Sequence, residues 1–449
     1  MFKRRILFPL LLFPLLMFAQ EPGSKSDSEF IQTLCTAFFD GDLDTLTLYS
    51  SPKMQQGIKD GTLALGILKI STMYGKLCFL EGALERVATS GGVTIFLQAA
   101  KLERQTLNCI VSIDSAGKLC GFFVRPREKE KKSTANSPPE KREVESAAAG
   151  RFTELEIKIG ESSSLPGILT LPEGEPPYPA VILIHGSGPN DRDETVQANK
   201  PFRDLAELLA ERGIAVLRYD KRTFVYPEEF QNNPAFTIDD ETVNDVLEAI
   251  DFLLNTPEID PDAIWLLGHS LGGMMLPRIA SRTVIPAGYI FMAAPAVSLP
   301  EVLEEQGIYL LEQDNTLSAA DKAKAADALR KQTELLKNPA GISLLGSMSA
   351  YWRDLNAYNQ VVLAMEIEKP MLFLQGKRDF QVLPNHLELW KKALNGQGNC
   401  RFILYDDLNH LMQPGKGTPG MAEYATPSRV SAGVADDIAV FLWQTKNPD

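Results

Sequence analysis

The chain has 449 residues, 44% of them hydrophobic and 23% charged, with a formal net charge of -13. That length predicts two domains, and the apolar content is ample for a large core. The acidic balance argues against a nucleic-acid partner, because phosphate backbones are held by clustered Lys and Arg.

The chain opens with the basic Lys3-Arg4-Arg5, an uncharged apolar run from Ile6 to Phe18, and then Ala19-Gln20. This order reads as a secretory signal peptide over residues 1–19, cleaved near Ala19, with an apolar run too short to span a membrane comfortably. The expectation is an exported protein, periplasmic or secreted, with no stable membrane span after signal removal. No Cys follows the run, so a lipid anchor is not supported. Of the cysteines, Cys35, Cys78, Cys109 and Cys120 lie early and Cys400 late. In an exported protein this allows one or two disulfides in the early part, with one thiol left over. No Cys or His spacing suits a metal, and the four histidines of the chain argue against a multi-histidine site.

Residues 29–126 read as a small α+β domain. Phe30, Leu34, Phe38 and Phe39 have helical spacing, which Asp40-Gly41-Asp42 breaks. Val93–Leu97 and Leu107–Ile113 read as strands, and Leu119–Val124 returns from a turn at Asp114–Lys118. No catalytic constellation stands out here. The expected role is to bind a cell-envelope ligand or mediate oligomerisation, with a structural role as the alternative. Residues 127–150 mix charge runs with Ser, Thr and Pro; such a stretch buries no core and reads as a flexible linker.

Residues 151–449 follow a different pattern. Leu155–Ile159 and Gly167–Leu171 suit an antiparallel edge. Short apolar runs then alternate with amphipathic helices: Val181–Ile184, Ile214–Leu217, Ile264–Leu267, Tyr289–Ala293, Met371–Leu374 and Phe402–Tyr405. Continuous apolar strands between helices predict an α/β fold with a mostly parallel sheet covered on both faces. Active sites of such sheets lie at the carboxyl ends of the strands. A helix-rich insertion over about 298–366 reads as a cap, with a capped start at Ser318 and a helix reaching Lys337.

Gly268-His269-Ser270-Leu271-Gly272 lies between the Ile264 strand and a helix. G-x-S-x-G in that setting is the pattern of a nucleophile elbow, a tight turn that lifts a serine out of the sheet edge. A serine hydroxyl attacks well only when a base takes its proton. His410, in the loop after the Phe402 strand, is the candidate base, ahead of His185, His269 and His386. Asp379, after the Met371 strand, is the candidate acid that orients it, ahead of Asp406 and Asp407. The order Ser, Asp, His along the chain is that of the α/β-hydrolase triad. Backbone N–H groups of Leu271 and Ser187 are the candidate oxyanion donors, with Gly188 as a fallback beside the substrate. Arg192, Met274, Tyr351 and Trp352 are further candidate substrate contacts. For Arg192 the alternative is pairing with its acidic neighbours, and for the aromatic residues it is cap packing.

Four phrases carry a resemblance: His185–Glu194, Leu217–Arg222, Gly268–Gly273 and Gln375–Asp379. With them, residues from about 151 onward resemble the α/β-hydrolase superfamily. The nearest likeness is to bacterial carboxylesterases of the dienelactone-hydrolase and serine-aminopeptidase-like branch. The first domain is similar to the cystatin-like or nuclear-transport-factor-like modules that precede some of these hydrolases. Dienelactone hydrolases use a cysteine nucleophile; Ser270 departs from that and points to the esterases. The resemblance implies an α/β-hydrolase fold with a cap insertion, no cofactor, and hydrolysis of small-molecule esters of short acyl chain through a Ser-His-Asp triad and an acyl-enzyme. Peptidase or amidase action on short peptides, and acyltransferase or thioesterase chemistry, stay open as alternatives.

Overall fold

The computed structural model of the protein describes residues 27–59, a few positions between 63 and 71, and residues 74–90, 92–127, 152–160, 164–315, 317–339 and 349–446. The expected signal segment and the expected linker, apart from Arg127, lie outside the described residues. The chain divides into two compact units, Met1–Lys59 with Leu63–Lys132, and Asp60–Thr62 with Ser133–Asp449.

In the first unit the Asp27–Asp40 helix buries Ile31, Leu34, Cys35, Ala37 and Phe38. It ends at Gly41, whose φ of 69° a residue with a Cβ rarely adopts. Asp42 then caps the Leu43–Tyr49 helix by accepting from the Thr45 N–H at 3.0 Å. Four strands follow, β1 (Leu77–Ser90), β2 (Val93–Leu102), β3 (Thr106–Ile113) and β4 (Leu119–Pro126), in an antiparallel meander. Alternate residues of β3, Leu107, Cys109, Val111 and Ile113, face the core. β1 is not visible in the sequence pattern. Its register shifts between Leu77 and Phe79, Glu81 and Glu85, and Arg86 and Ala88 break the two-residue alternation that would announce it.

The disulfides that the early cysteines would allow are not formed: all five cysteines are free. Cys35 and Cys109 are buried as small apolar core residues, while Cys78 faces solvent. A hydrogen bond with Cys109, together with burial, pushes the Cys35 thiol far above its ordinary pKa.

The second unit is built on an eight-stranded sheet of β5 (Phe152–Ile159), β6 (Leu165–Pro172), β7 (Tyr178–Ile184), β8 (Ala215–Tyr219), β9 (Ile259–His269), β10 (Gly288–Met292), β11 (Met371–Gly376) and β12 (Cys400–Tyr405). Their spatial order is β12-β11-β10-β9-β7-β8-β6-β5. The β5–β6 hairpin is the antiparallel edge, and β7 to β12 run parallel. Side chains alternate between two cores. Ala180, Ile182 and Ile184 of β7 join Ile264 and Leu266 of β9 on one face; Val181 and Leu183 join Trp265 and Leu267 on the other. The first face is covered by the Asn244–Leu254, Leu271–Ala280 and Asn385–Ala393 helices. The second is covered by the Pro201–Ala210 and Ala432–Lys446 helices. With both faces dry, the strand ends are where polar groups gather.

The insertion between β10 and β11 is helical: Leu299–Gln313, Ala319–Lys337, Ser349–Asn356 and Gln360–Ala364. Ser318 caps the second of these by accepting from the Asp321 N–H at 3.1 Å. The chain moves outward from β7 to β8 and then returns to place β9 on the other side of β7. That reversal makes the β7–β9 carboxyl edge the switch point at which such sheets hold ligands.

Candidate active site

Ser270 follows β9 at this switch point, with φ 53° and ψ -118°. A non-glycine residue held there is strained, and the surrounding bonds fix it. The Ser270 N–H donates to the Met292 carbonyl at 2.9 Å, and its own carbonyl accepts from Met274 at 3.0 Å. The flanking glycines are steric necessities. A Cβ on Gly268 would stand 2.4 Å from the Gly272 backbone, and one on Gly272 would stand 2.2 Å from the Ile184 carbonyl oxygen. The pattern G-x-S-x-G is thus the closest approach of strand, turn and helix. Leu271 begins the helix, so its N–H has no intrahelical acceptor.

Asp379 leaves the end of β11 and is buried. Its Oδ1 accepts from the Gln381 and Val382 N–H groups at 2.8 and 2.9 Å, and its Oδ2 from the Gln375 amide at 3.0 Å. Oδ2 also meets His410 Nδ1 at 2.7 Å. His410 is carried by the loop after β12, where Asn409 Oδ1 accepts from the Leu411 and Gln413 N–H groups at 3.0 and 3.2 Å. Among the described residues no protein group takes up His410 Nε2. Asp406 and Asp407, nearer in sequence, are exposed, and Asp406 pairs with Lys377 at 2.5 Å.

The other histidines have different work. His386 donates from Nε2 to Glu305 at 2.7 Å and accepts the Ala296 N–H at Nδ1. His185 donates from Nε2 to the Asp191 carbonyl at 3.1 Å, and burial pushes its pKa down to about 4. His269 packs against His410 with ring centroids 4.6 Å apart, which puts the His410 ring beside the elbow. Its Nδ1 meets Glu194 at 2.7 Å, and its Nε2 meets the His410 carbonyl at 3.0 Å. A carboxylate and a carbonyl are both acceptors, so His269 satisfies both only as the doubly protonated cation. Burial alone would lower its pKa, but the Glu194 charge and hydrogen bond outweigh burial and raise it. In the same way burial would raise Glu194, and His269 holds it below the ordinary carboxyl value. A cation with both nitrogens occupied has no lone pair for general-base work.

Glu194 and Lys221 lie at the candidate site, and the sequence pattern did not single them out. Glu194 accepts the Gly186 N–H at 2.6 Å, tying the loop after β7 to His269. Lys221 Nζ donates to the Gly186 carbonyl at 2.8 Å. Both residues are charged and lie in loop phrases, yet both are buried.

Ser187 and Gly188 are exposed on that loop, and Gly188 has φ 93°. Arg192 is engaged by Asp220 rather than by its sequence neighbours, through Nη2 at 2.7 Å and Nε at 3.0 Å. That pair takes the Nε–Nη2 side of the guanidinium, and Nη1 donates to the Gly167 carbonyl at 3.4 Å. Met274, Tyr351 and Trp352 are buried in the main core instead of lining an open surface. Tyr351 packs on Phe230 and donates to Glu241 at 2.6 Å. Among the described residues no helix is long and apolar enough to cross a membrane.

The Alpha/beta hydrolase family profile matches residues 181–416. Esterase EstD of Thermotoga maritima is 36% identical over 346 residues, covering 77% of this chain and 78% of that protein. Among solved structures, Est1E from Butyrivibrio proteoclasticus is 17% identical, with a TM-score of 0.43 over 65% of this chain and 98% of that one. The Pyrococcus furiosus esterase PF2001 is 15% identical, with a TM-score of 0.41 over 66% of this chain and 92% of that one. The chain belongs to the alpha/beta hydrolase family and is a hydrolase homologous to a bacterial esterase.

Proposed function

We propose that the chain is a serine esterase that hydrolyses carboxylic esters of short acyl chain through an acyl-enzyme. The observation that carries this reading is the buried Asp379–His410 pair at 2.7 Å beside a serine held on a strained elbow. Ser270 Oγ attacks the ester carbonyl as His410 Nε2 takes its proton, and Asp379 holds the tautomer that leaves Nε2 free. The tetrahedral oxygen lies against the Leu271 and Ser187 N–H groups. His410 then gives its proton to the leaving alcohol, and a water deprotonated by the same nitrogen releases the acid. Homology to an esterase supports the ester as substrate.

The test is turnover of p-nitrophenyl esters of increasing chain length, with aminoacyl anilides alongside, by the wild type and Ser270→Ala. Ester hydrolysis that falls with chain length and vanishes in Ser270→Ala is expected. Hydrolysis of anilides alone would replace the esterase by a peptidase. We also read residues 1–19 as an export signal; a mature N-terminus after Ala19 in exported protein is the expected outcome of N-terminal sequencing.

A further inference from the structure

The Gly186–Ser187 peptide has its carbonyl and its preceding N–H held by two buried ionic side chains. Glu194 takes the Gly186 N–H at 2.6 Å, and Lys221 Nζ holds the Gly186 carbonyl at 2.8 Å. The Asn190 amide adds a weaker bond to the same carbonyl at 3.2 Å. Lys221 is 2% exposed, and its ammonium is balanced by Glu241 Oε1 at 2.7 Å. Glu241 in turn accepts the Tyr351 hydroxyl at 2.6 Å. A buried ammonium needs acceptors for its three N–H groups besides its acid, and here one of them is the Gly186 carbonyl, next to the nucleophile.

The carbonyl is the informative contact. A trans peptide points its C=O and the following N–H in opposite directions within one plane. Fixing the Gly186 oxygen on Lys221 therefore fixes the direction of the Ser187 N–H. A cation on the oxygen also draws electron density out of the peptide and strengthens that N–H as a donor. Among the described residues the Ser187 N–H has no acceptor. The peptide lies against the elbow: a Cβ on Gly186 would stand 3.2 Å from Ser270 Cβ and 3.6 Å from the His269 carbonyl oxygen.

We propose that Lys221 is a positioning residue of the oxyanion hole, which orients and polarises the Gly186–Ser187 peptide so that the Ser187 N–H meets the developing oxyanion. The inference rests on the serine-esterase reading above. Lys221 acts on the transition state alone, because the ester carbonyl in the ground state carries little charge for the polarised N–H to meet.

The experiment measures kcat and KM for a p-nitrophenyl ester, and Ki for a trifluoromethyl ketone whose hemiketal oxygen mimics the oxyanion. The full chain is used as wild type, Ser270→Ala, Lys221→Gln and the double variant Lys221→Met/Glu241→Gln. The double variant removes both charges, so it folds without an unpaired buried carboxylate even where a single variant does not. Both Lys221 variants are expected to lose about 10²-fold in kcat, with KM changed less than about twofold and Ki raised in parallel with the kcat loss. Recovery of wild-type kcat in the double variant would overturn the proposal, since Lys221 would then serve only to neutralise Glu241. A kcat loss with an unchanged Ki would overturn it too. Full activity in Ser270→Ala would instead remove the esterase reading itself.

Discussion

His410 with Asp379 and His269 with Glu194 are both buried imidazole–carboxylate pairs closed at 2.7 Å, on neighbouring loops of one sheet edge. They differ at the second ring nitrogen. His269 spends it on the His410 carbonyl at 3.0 Å, whereas no protein group among the described residues takes up His410 Nε2. The first histidine is a structural cation that joins the loop after β7, the elbow and the His410 loop. In the proposed mechanism the second keeps a lone pair for proton transfer. A carboxylate beside an imidazole therefore does not identify a base; the remaining nitrogen does.

The comparison breaks first at the nucleophile and its base. Ser270→Ala and His410→Ala are each expected to lower kcat by about 10⁴-fold to 10⁶-fold on a p-nitrophenyl ester. Asp379→Asn should cost about 10⁴-fold, since the amide favours the wrong tautomer of His410. If His269 were the base, His269→Gln would match His410→Ala in size; the smaller loss expected of it, under about 10²-fold, reflects loop positioning alone.

The structural pair should instead appear in stability. Glu194→Gln removes the charge that holds His269 protonated in the interior, breaking a buried pair, and is expected to cost about 3–5 kcal/mol in denaturant unfolding. This difference has a pH window. His269 has a raised folded pKa, so its stabilisation is whole below the free histidine value and is lost as pH rises through the folded value. Glu194 has a lowered folded pKa, so its stabilisation is whole above the free carboxyl value and is lost as pH falls through the folded value. The gap between wild type and Glu194→Gln should therefore be widest between 4.5 and 6.5, the ordinary values of a free carboxyl and a free histidine, and narrow on either side. The smallest effect belongs to His185, buried neutral with its pKa pushed down to about 4. Stability should fall by roughly 3 kcal/mol between pH 6.5 and 4, a loss absent from His185→Gln if that variant keeps the bond to the Asp191 carbonyl.

The elbow was legible in the sequence because its glycines answer to steric contacts within a few residues and with one neighbouring strand. The parallel strands were legible because β7, β8, β10 and β11 are buried on both faces and carry unbroken apolar runs. Asp379 and His410 were singled out as candidates from their places in the loops after β11 and β12. Glu194, Lys221 and Glu241 were not. A charged residue in a loop reads as solvated, and only the tertiary meeting of segments up to 75 residues apart turns Glu194 into a buried partner of His269. Tyr351 and Trp352 were left open in the sequence, because aromatic residues in a cap suit a pocket or a core equally well; in the structure both pack in the core.

The most direct test is covalent labelling with a fluorophosphonate, followed by mass spectrometry of the intact chain and its peptides. One adduct is expected, on the peptide that contains Ser270, absent from Ser270→Ala, slowed by orders of magnitude in His410→Ala and formed readily in His269→Gln. An adduct on another residue, or labelling of His410→Ala at the wild-type rate, would contradict the roles proposed for Ser270 and His410.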